Sequence, residues 1–144
     1  MENSLGWNLS RAALSWRHAV DTYMADLGLT QSKWIAMLHL NRKGEGLTQS
    51  ELAADIGIEQ PSLIRTLNNL QAAGLIERRE SPKDARCKTL WFTEEGHRKL
   101  NQMEQIASQG REELLKGLSP EQREQLSHAL LIIIDNAHLL INKD

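Results

Sequence analysis

The sequence predicts a mainly α-helical domain that carries one small β-hairpin. Three observations predict it. Most of the chain repeats its apolar residues every three or four positions, the period of a helix buried on one side. Two short segments, "LIERRE" and "CKTLWFT", instead alternate apolar and polar residues, the period of a strand. Between these two regimes, "LTQSELAADIG" and "IEQPSLIRTL" read as two short helices joined by about three residues at Gly57, the sequence form of a helix-turn-helix. A helix-turn-helix followed by a β-hairpin is a winged helix.

The elements follow in order. From about Ser4 to Leu27, the residues Leu5, Leu9, Ala12, Trp16, Val20 and Tyr23 line one side of a long helix that Gly28 stops. Thr30 is placed to cap the next helix, which carries Trp34, Ile35, Leu38 and His39 and ends near Gly44. Thr48 and Glu51 form a capping box, and Gly57 ends that helix. Pro61 belongs in a first helical turn, and Leu63, Leu67 and Leu70 give the following helix its apolar side, with Gly74 closing it. The turn between the strands is "SPKDAR". Thr93 caps the helix beginning "EEGHRKL", and Gly117 closes it. Ser119, Pro120 and Gln122 start the last helix with a second capping box. That helix carries Leu126, Leu130, Ile133, Ile134 and Leu140 on one side, widened by Leu131, Ile132, Ala137 and Ile141. So broad an apolar stripe predicts a subunit partner.

The chain of 144 residues is one domain's length, with 40% hydrophobic and 25% charged residues, as in a globular protein. No apolar run approaches the roughly 20 residues of a membrane span. The N-terminus "MENSLGWNLS" shows no export signal, so a cytoplasmic protein is expected. One cysteine, Cys87, excludes an internal disulfide framework and a multi-thiolate zinc site. The histidines His18, His39, His97, His128 and His138 lie at no metal-ligand spacing, and no glycine-rich phosphate loop occurs. No catalytic residue, metal site or cofactor is expected, and the reading is not that of an enzyme.

Charge distribution points to a partner. The chain's net charge is −2, yet residues 60 to 93 hold six bases (Arg65, Arg78, Arg79, Lys83, Arg86, Lys88) against three acids (Glu77, Glu80, Asp84). That segment is +3 and the rest of the chain −5. A basic segment in an acidic body is the footprint of a local anionic partner. The "PSLIRTLNNL" helix sets Ser62, Arg65, Thr66 and Asn69 opposite its leucines, a polar face without the usual lysines and glutamates. Arg65 suits bidentate pairing with guanine and Asn69 with adenine, while Ser62 and Thr66 reach phosphates or base edges. In the hairpin, Arg86 suits a narrow minor groove, Asp84 can hold its guanidinium, and Lys83 and Lys88 suit phosphates. Double-stranded DNA is the expected partner.

The stretch "ELAADIGIEQPSLIRTLNNLQAAGLIERR", followed by "DAR" and "TEEG", resembles the MarR family of transcriptional regulators, the SlyA-like subgroup in particular. "SLGWNLSRAALSWR" and "LTQSKW" extend the resemblance to nearly the whole chain. It implies a triangular homodimer, with residues 1–30 and 94–144 as dimerisation helices and residues 31–93 as the winged helix, together reading a pseudo-palindromic operator. It implies that Asp84 and Arg86 are the wing's minor-groove pair. Ala85 stands where the subgroup carries a second arginine, which is expected to weaken phosphate attraction more than base reading. The resemblance also implies small aromatic carboxylates as candidate effectors. Trp16 and Trp34 would stack the ring, Arg17 would pair the carboxylate and Leu38 would line the wall. Two other readings stand beside this one: a winged helix used for protein interaction, and a redox-responsive regulator in which Arg86 and Lys88 activate Cys87.

Overall fold

In the computed structural model, residues 4–142 are described. Among the described residues eight elements follow one another: α1 (Leu5–Ala25), α2 (Gln31–Lys43), α3 (Gln49–Ile56), α4 (Gln60–Ala72), β1 (Ile76–Glu80), β2 (Lys88–Phe92), α5 (Glu94–Leu114) and α6 (Pro120–Ile141). The strands pair antiparallel, in a register that sets Ile76 opposite Phe92 and Glu80 opposite Lys88. The mainly helical fold with a small hairpin is therefore the one the periodicities predict. Among the described residues no helix is long and apolar enough to cross a membrane.

The chain divides into two compact units, one ending at Gly110 and one beginning at Arg111. The core of the first gathers Met37 and Leu40 of α2, Leu52 of α3, Leu63, Leu67 and Leu70 of α4, and Leu90 of β2, all at most 1% exposed. Capping fixes where these helices begin. The Thr48 hydroxyl accepts from the Glu51 amide at 3.2 Å, and the Glu51 carboxylate accepts from the Thr48 N–H at 3.0 Å. Gly57 then turns the chain at φ +86°, a conformation that favours glycine, so α4 can start three residues later. Thr30 is the N-cap residue of α2, but its side chain makes no capping bond and lies 3.5 Å from the Ser32 hydroxyl. At the other end of this pair, His39 of α2 and Asp55 of α3 meet at 2.7 Å, with Lys43 also 3.5 Å from Asp55.

The wing is tied to the helices through backbone. The Leu90 N–H donates to the Leu47 carbonyl and the Gly46 N–H to the Leu90 carbonyl, both at 2.8 Å, and Thr48 bridges Thr89. This third edge was not legible in the sequence, because residues 46–48 are too few to show an alternation. The root of the wing is closed by Thr93. Its hydroxyl donates to the Gly74 carbonyl at 2.6 Å and accepts from the Gly96 amide at 3.0 Å, capping α5 as expected.

Gly96 sits where α5 crosses the start of β1. A Cβ there would lie 2.0 Å from the Leu75 carbonyl oxygen, which itself accepts the Thr93 N–H. Gly96→Ala is expected to destabilise the fold by about 1–3 kcal/mol, the usual cost of overpacking. Chemical denaturation would read this as a lowered midpoint at unchanged slope. An unchanged midpoint would show that α5 moves aside freely.

The second unit is the end of α5, the turn at Gly117, and α6. Ser119 and Gln122 make the predicted capping box at 2.8 and 3.1 Å. Arg123 pairs with Glu112 at 3.2 Å and donates to the Leu115 carbonyl at 3.2 Å, fastening α6 to the chain before it. No residue of α6 is buried. Arg123, Leu130 and Ala137, seven apart, are half-buried, while Leu126, Ile133 and Leu140, also seven apart, are 45%, 40% and 74% exposed.

Candidate nucleic-acid interface

The candidate reading face of α4 follows from its leucines. With Leu63, Leu67 and Leu70 turned into the core, Ser62, Arg65 and Asn69 fall on the solvent side. Arg65 makes no hydrogen bond or ion pair among the described residues. It is an exposed cation with its donors unspent, between two small polar side chains.

Thr66 departs from the expectation. It is 7% exposed and its hydroxyl donates back to the Ser62 carbonyl at 3.3 Å. The reason is helical phase: Thr66 lies three residues after Leu63 and four before Leu70, so it shares their buried stripe. Its hydroxyl is spent within α4, which removes it from the exposed polar face.

The wing gathers its charged residues toward its tip. Asp84 accepts from the Arg86 backbone N–H at 3.0 Å and from the guanidinium Nε at 3.2 Å. These bonds, the backbone one first, hold the Asp84 carboxyl below the usual carboxylate range. The Arg86 side chain nevertheless remains 91% exposed. It is thus a cation fixed at one edge and presented to solvent. Lys83 is exposed at the turn. It lies near enough to α3 to help lower the Glu51 carboxyl, which the Thr48 N–H and hydroxyl chiefly depress. Lys88 pairs loosely with Glu80 at 3.7 Å.

Between the wing and the two helix starts lies a cleft of about 220 Å³. Thr48, Gln49, Ser50 and Gln60 line one part and Arg86, Cys87 and Lys88 the other. Sequence reading missed Gln49, Ser50 and Gln60 as site residues. The signal was available in part, since small polar residues in a first helical turn commonly meet anions. Their convergence with the wing needed the fold.

The remaining candidates separate. Trp34 is a core residue at 7% exposure, and its indole N–H donates to Asp21 at 2.6 Å. Leu38 is half-buried, and Trp16 and Arg17 are exposed on α1. Cys87 is exposed, with its thiol 3.9 Å from Asp84. Its two neighbours in sequence pair with carboxylates, Arg86 with Asp84 at 3.2 Å and Lys88 with Glu80 at 3.7 Å.

On the outer face of the hairpin, the Arg79 guanidinium lies 4.3 Å over the Trp91 ring and pairs with Glu77. The Trp91 indole N–H donates to the Thr89 hydroxyl at 2.9 Å. This face is self-contained, so the cations left to the wing's tip are Lys83, Arg86 and Lys88.

A helix-turn-helix whose second helix offers a polar face, followed by a two-stranded wing, defines a winged helix-turn-helix protein. A model of the MarR family matches residues 27–86, from the α1–α2 turn to the wing tip. Among solved structures, the chain is similar to the transcriptional regulator PA3341. The two are 32% identical with a TM-score of 0.84, over 92% of this chain and 97% of that one. It is similar to the transcriptional repressor CouR, solved bound to a 23-mer DNA duplex. There the identity is 29% and the TM-score 0.81, over 90% and 92% of the two chains. The fold is also that of a MarR transcriptional regulator from Methanosarcina mazei Go1, with TM-score 0.87 at 22% identity over 96% and 99%. The chain belongs to the MarR family of transcriptional regulators.

Proposed function

We propose that the protein is a homodimeric, sequence-reading DNA-binding regulator. In this reading α4 enters the major groove and the wing enters the flanking minor groove. The observation that carries it is the uncommitted Arg65 on an exposed Ser62–Arg65–Asn69 face, beside a wing whose Arg86 is posed by Asp84 and left 91% exposed. A major groove about 12 Å wide admits one α-helix, and an arginine fork there matches guanine O6 and N7. The cleft shared by Ser50, Gln60, Arg86 and Lys88 suits a backbone phosphate between the two grooves. That CouR, a similar protein, was solved on a DNA duplex supports the same partner here. The Asp84–Arg86 wing supports placement in the SlyA-like subgroup.

The test is selection of bound duplexes from a random library. An inverted repeat with half-sites about one helical turn apart is the expected result. Salt-sensitive binding with no motif would overturn the reading and favour a winged helix used for protein interaction.

Lys88 is assigned to phosphate. Lys88→Ala is expected to weaken the selected site and random DNA alike, and to lower the slope of log affinity against log salt by about one. Titrations at several salt concentrations read this directly. A change in base preference would contradict the assignment.

A further inference from the structure

Reading two grooves at once requires that the wing and α4 keep a fixed relation, and beside their shared apolar core one side-chain hydrogen bond joins α4 to β1 among the described residues. Alternation along β1 puts Ile76, Arg78 and Glu80 on one face, opposite Phe92, Leu90 and Lys88 of β2. Ile76, Leu90 and Phe92 are buried. Arg78 therefore occupies the place where an apolar residue would continue the core. Its guanidinium donates to the Asn68 side-chain oxygen at 2.7 Å, while its Nε is buried without a partner among the described residues. Burial also pushes its pKa down from the ordinary arginine value. Among the described residues this is the one side-chain hydrogen bond between α4 and β1.

A half-buried cation with one short bond is a poor choice for stability alone. Apolar residues of similar volume are often as good or better at such positions. What the pair supplies is direction. Asn68 precedes Asn69 and lies three residues after Arg65 on the same helix, and Arg78 lies on the strand that leads to the wing tip. We propose that Asn68 and Arg78 are a positioning pair, setting the phase at which Arg86 meets the minor groove when Arg65 occupies the major groove. The pair does not touch DNA in this proposal. It acts by preorganising two elements that do. The inference rests on the DNA-reading assignment above.

The test is a double-mutant cycle of Asn68→Ala and Arg78→Met, measured on the selected operator and on random DNA, with thermal midpoints alongside. Each single variant is expected to lose operator affinity about 10-fold while random DNA changes less than about 2-fold. The double variant should fare no worse than either single, as coupled residues do. Arg86→Ala should cost less in the Asn68→Ala background than in the wild type. Asn68→Asp keeps an acceptor for Arg78 and should retain the ratio of specific to random affinity. Additive losses, or losses that track only the thermal midpoint, would overturn the proposal. So would equal losses on both DNAs with a lower salt slope for Arg78→Met alone, which would make Arg78 a phosphate contact. If the wild type selects no motif, the DNA-reading assignment itself fails. If it selects one that all variants read equally well, the positioning pair alone fails.

Discussion

Arg65→Ala is expected to lower affinity for the selected operator about 5- to 150-fold per half-site, the equivalent of about 1–3 kcal/mol, and to relax preference at one base pair. The magnitude follows from geometry. Arg65 stands on the exposed side of a helix whose other side is fastened by Leu63, Leu67 and Leu70. It makes no ion pair among the described residues, so the guanidinium gives up no protein partner when it meets a base. Removing it also leaves a guanine edge desolvated and unpaired, which costs more than the loss of a screened surface charge. Arg65→Lys separates these contributions. It keeps the charge and loses the planar fork, so random DNA should be bound as before while base preference falls. Competitive titration with single-base operator variants measures both. If Arg65→Ala and Lys88→Ala weaken specific and random DNA equally, the division between base reading and phosphate contact is wrong.

Much of this site was legible as sequence because its logic is local. The capping boxes at Thr48 and Ser119 involve residues three apart, and both are present. The Asp84–Arg86 contact spans two residues and is formed by backbone and side chain together. The alternation in "LIERRE" and "CKTLWFT" located the wing to within a residue at each end. What failed was helical phase at a position of mixed character. Thr66 is small and polar, and at helical spacing it reads with Ser62, Arg65 and Asn69, opposite the leucines. The rotation of α4 decides otherwise, because a threonine bonded to its own helix can be buried at little cost. Contacts between distant segments were not legible at all. Nothing in the sequence pairs Asn68 with Arg78, or carries Glu45 to the Phe92 amide at 2.8 Å. Trp34 illustrates a third case. An aromatic residue at helical spacing serves a core or a ligand equally well, and the Asp21 bond shows that here its polar edge is already used.

Ile133→Glu is expected to convert the protein from a dimer to a folded monomer and to reduce operator affinity about 100- to 10,000-fold, the gain that linking two binding modules normally supplies. Within its own unit α6 is held by Arg123, and its half-buried line is Arg123, Leu130 and Ala137. The adjacent line of Leu126, Ile133 and Leu140 is exposed, together with Leu131, Ile132, Ile134, Leu139 and Ile141. A contiguous apolar surface of this breadth is rare on a monomer and typical of a permanent subunit interface. A second copy is the occupant proposed here, because a two-fold pair would present two α4 helices to an inverted repeat. The Ile133→Glu substitution would then place a carboxylate in a desolvated apolar interface, where no lysine or arginine of α6 is within a turn to pair it. In a monomer the same carboxylate would sit in water, so the fold itself should survive. Sedimentation and circular dichroism separate the two outcomes. A variant that keeps its helical signal but sediments at monomer mass, and that binds single half-sites as the wild type does, fits a dimer held by α6. A variant that stays dimeric with operator affinity intact would show that subunits meet through another face and that the apolar stripe of α6 serves a different contact.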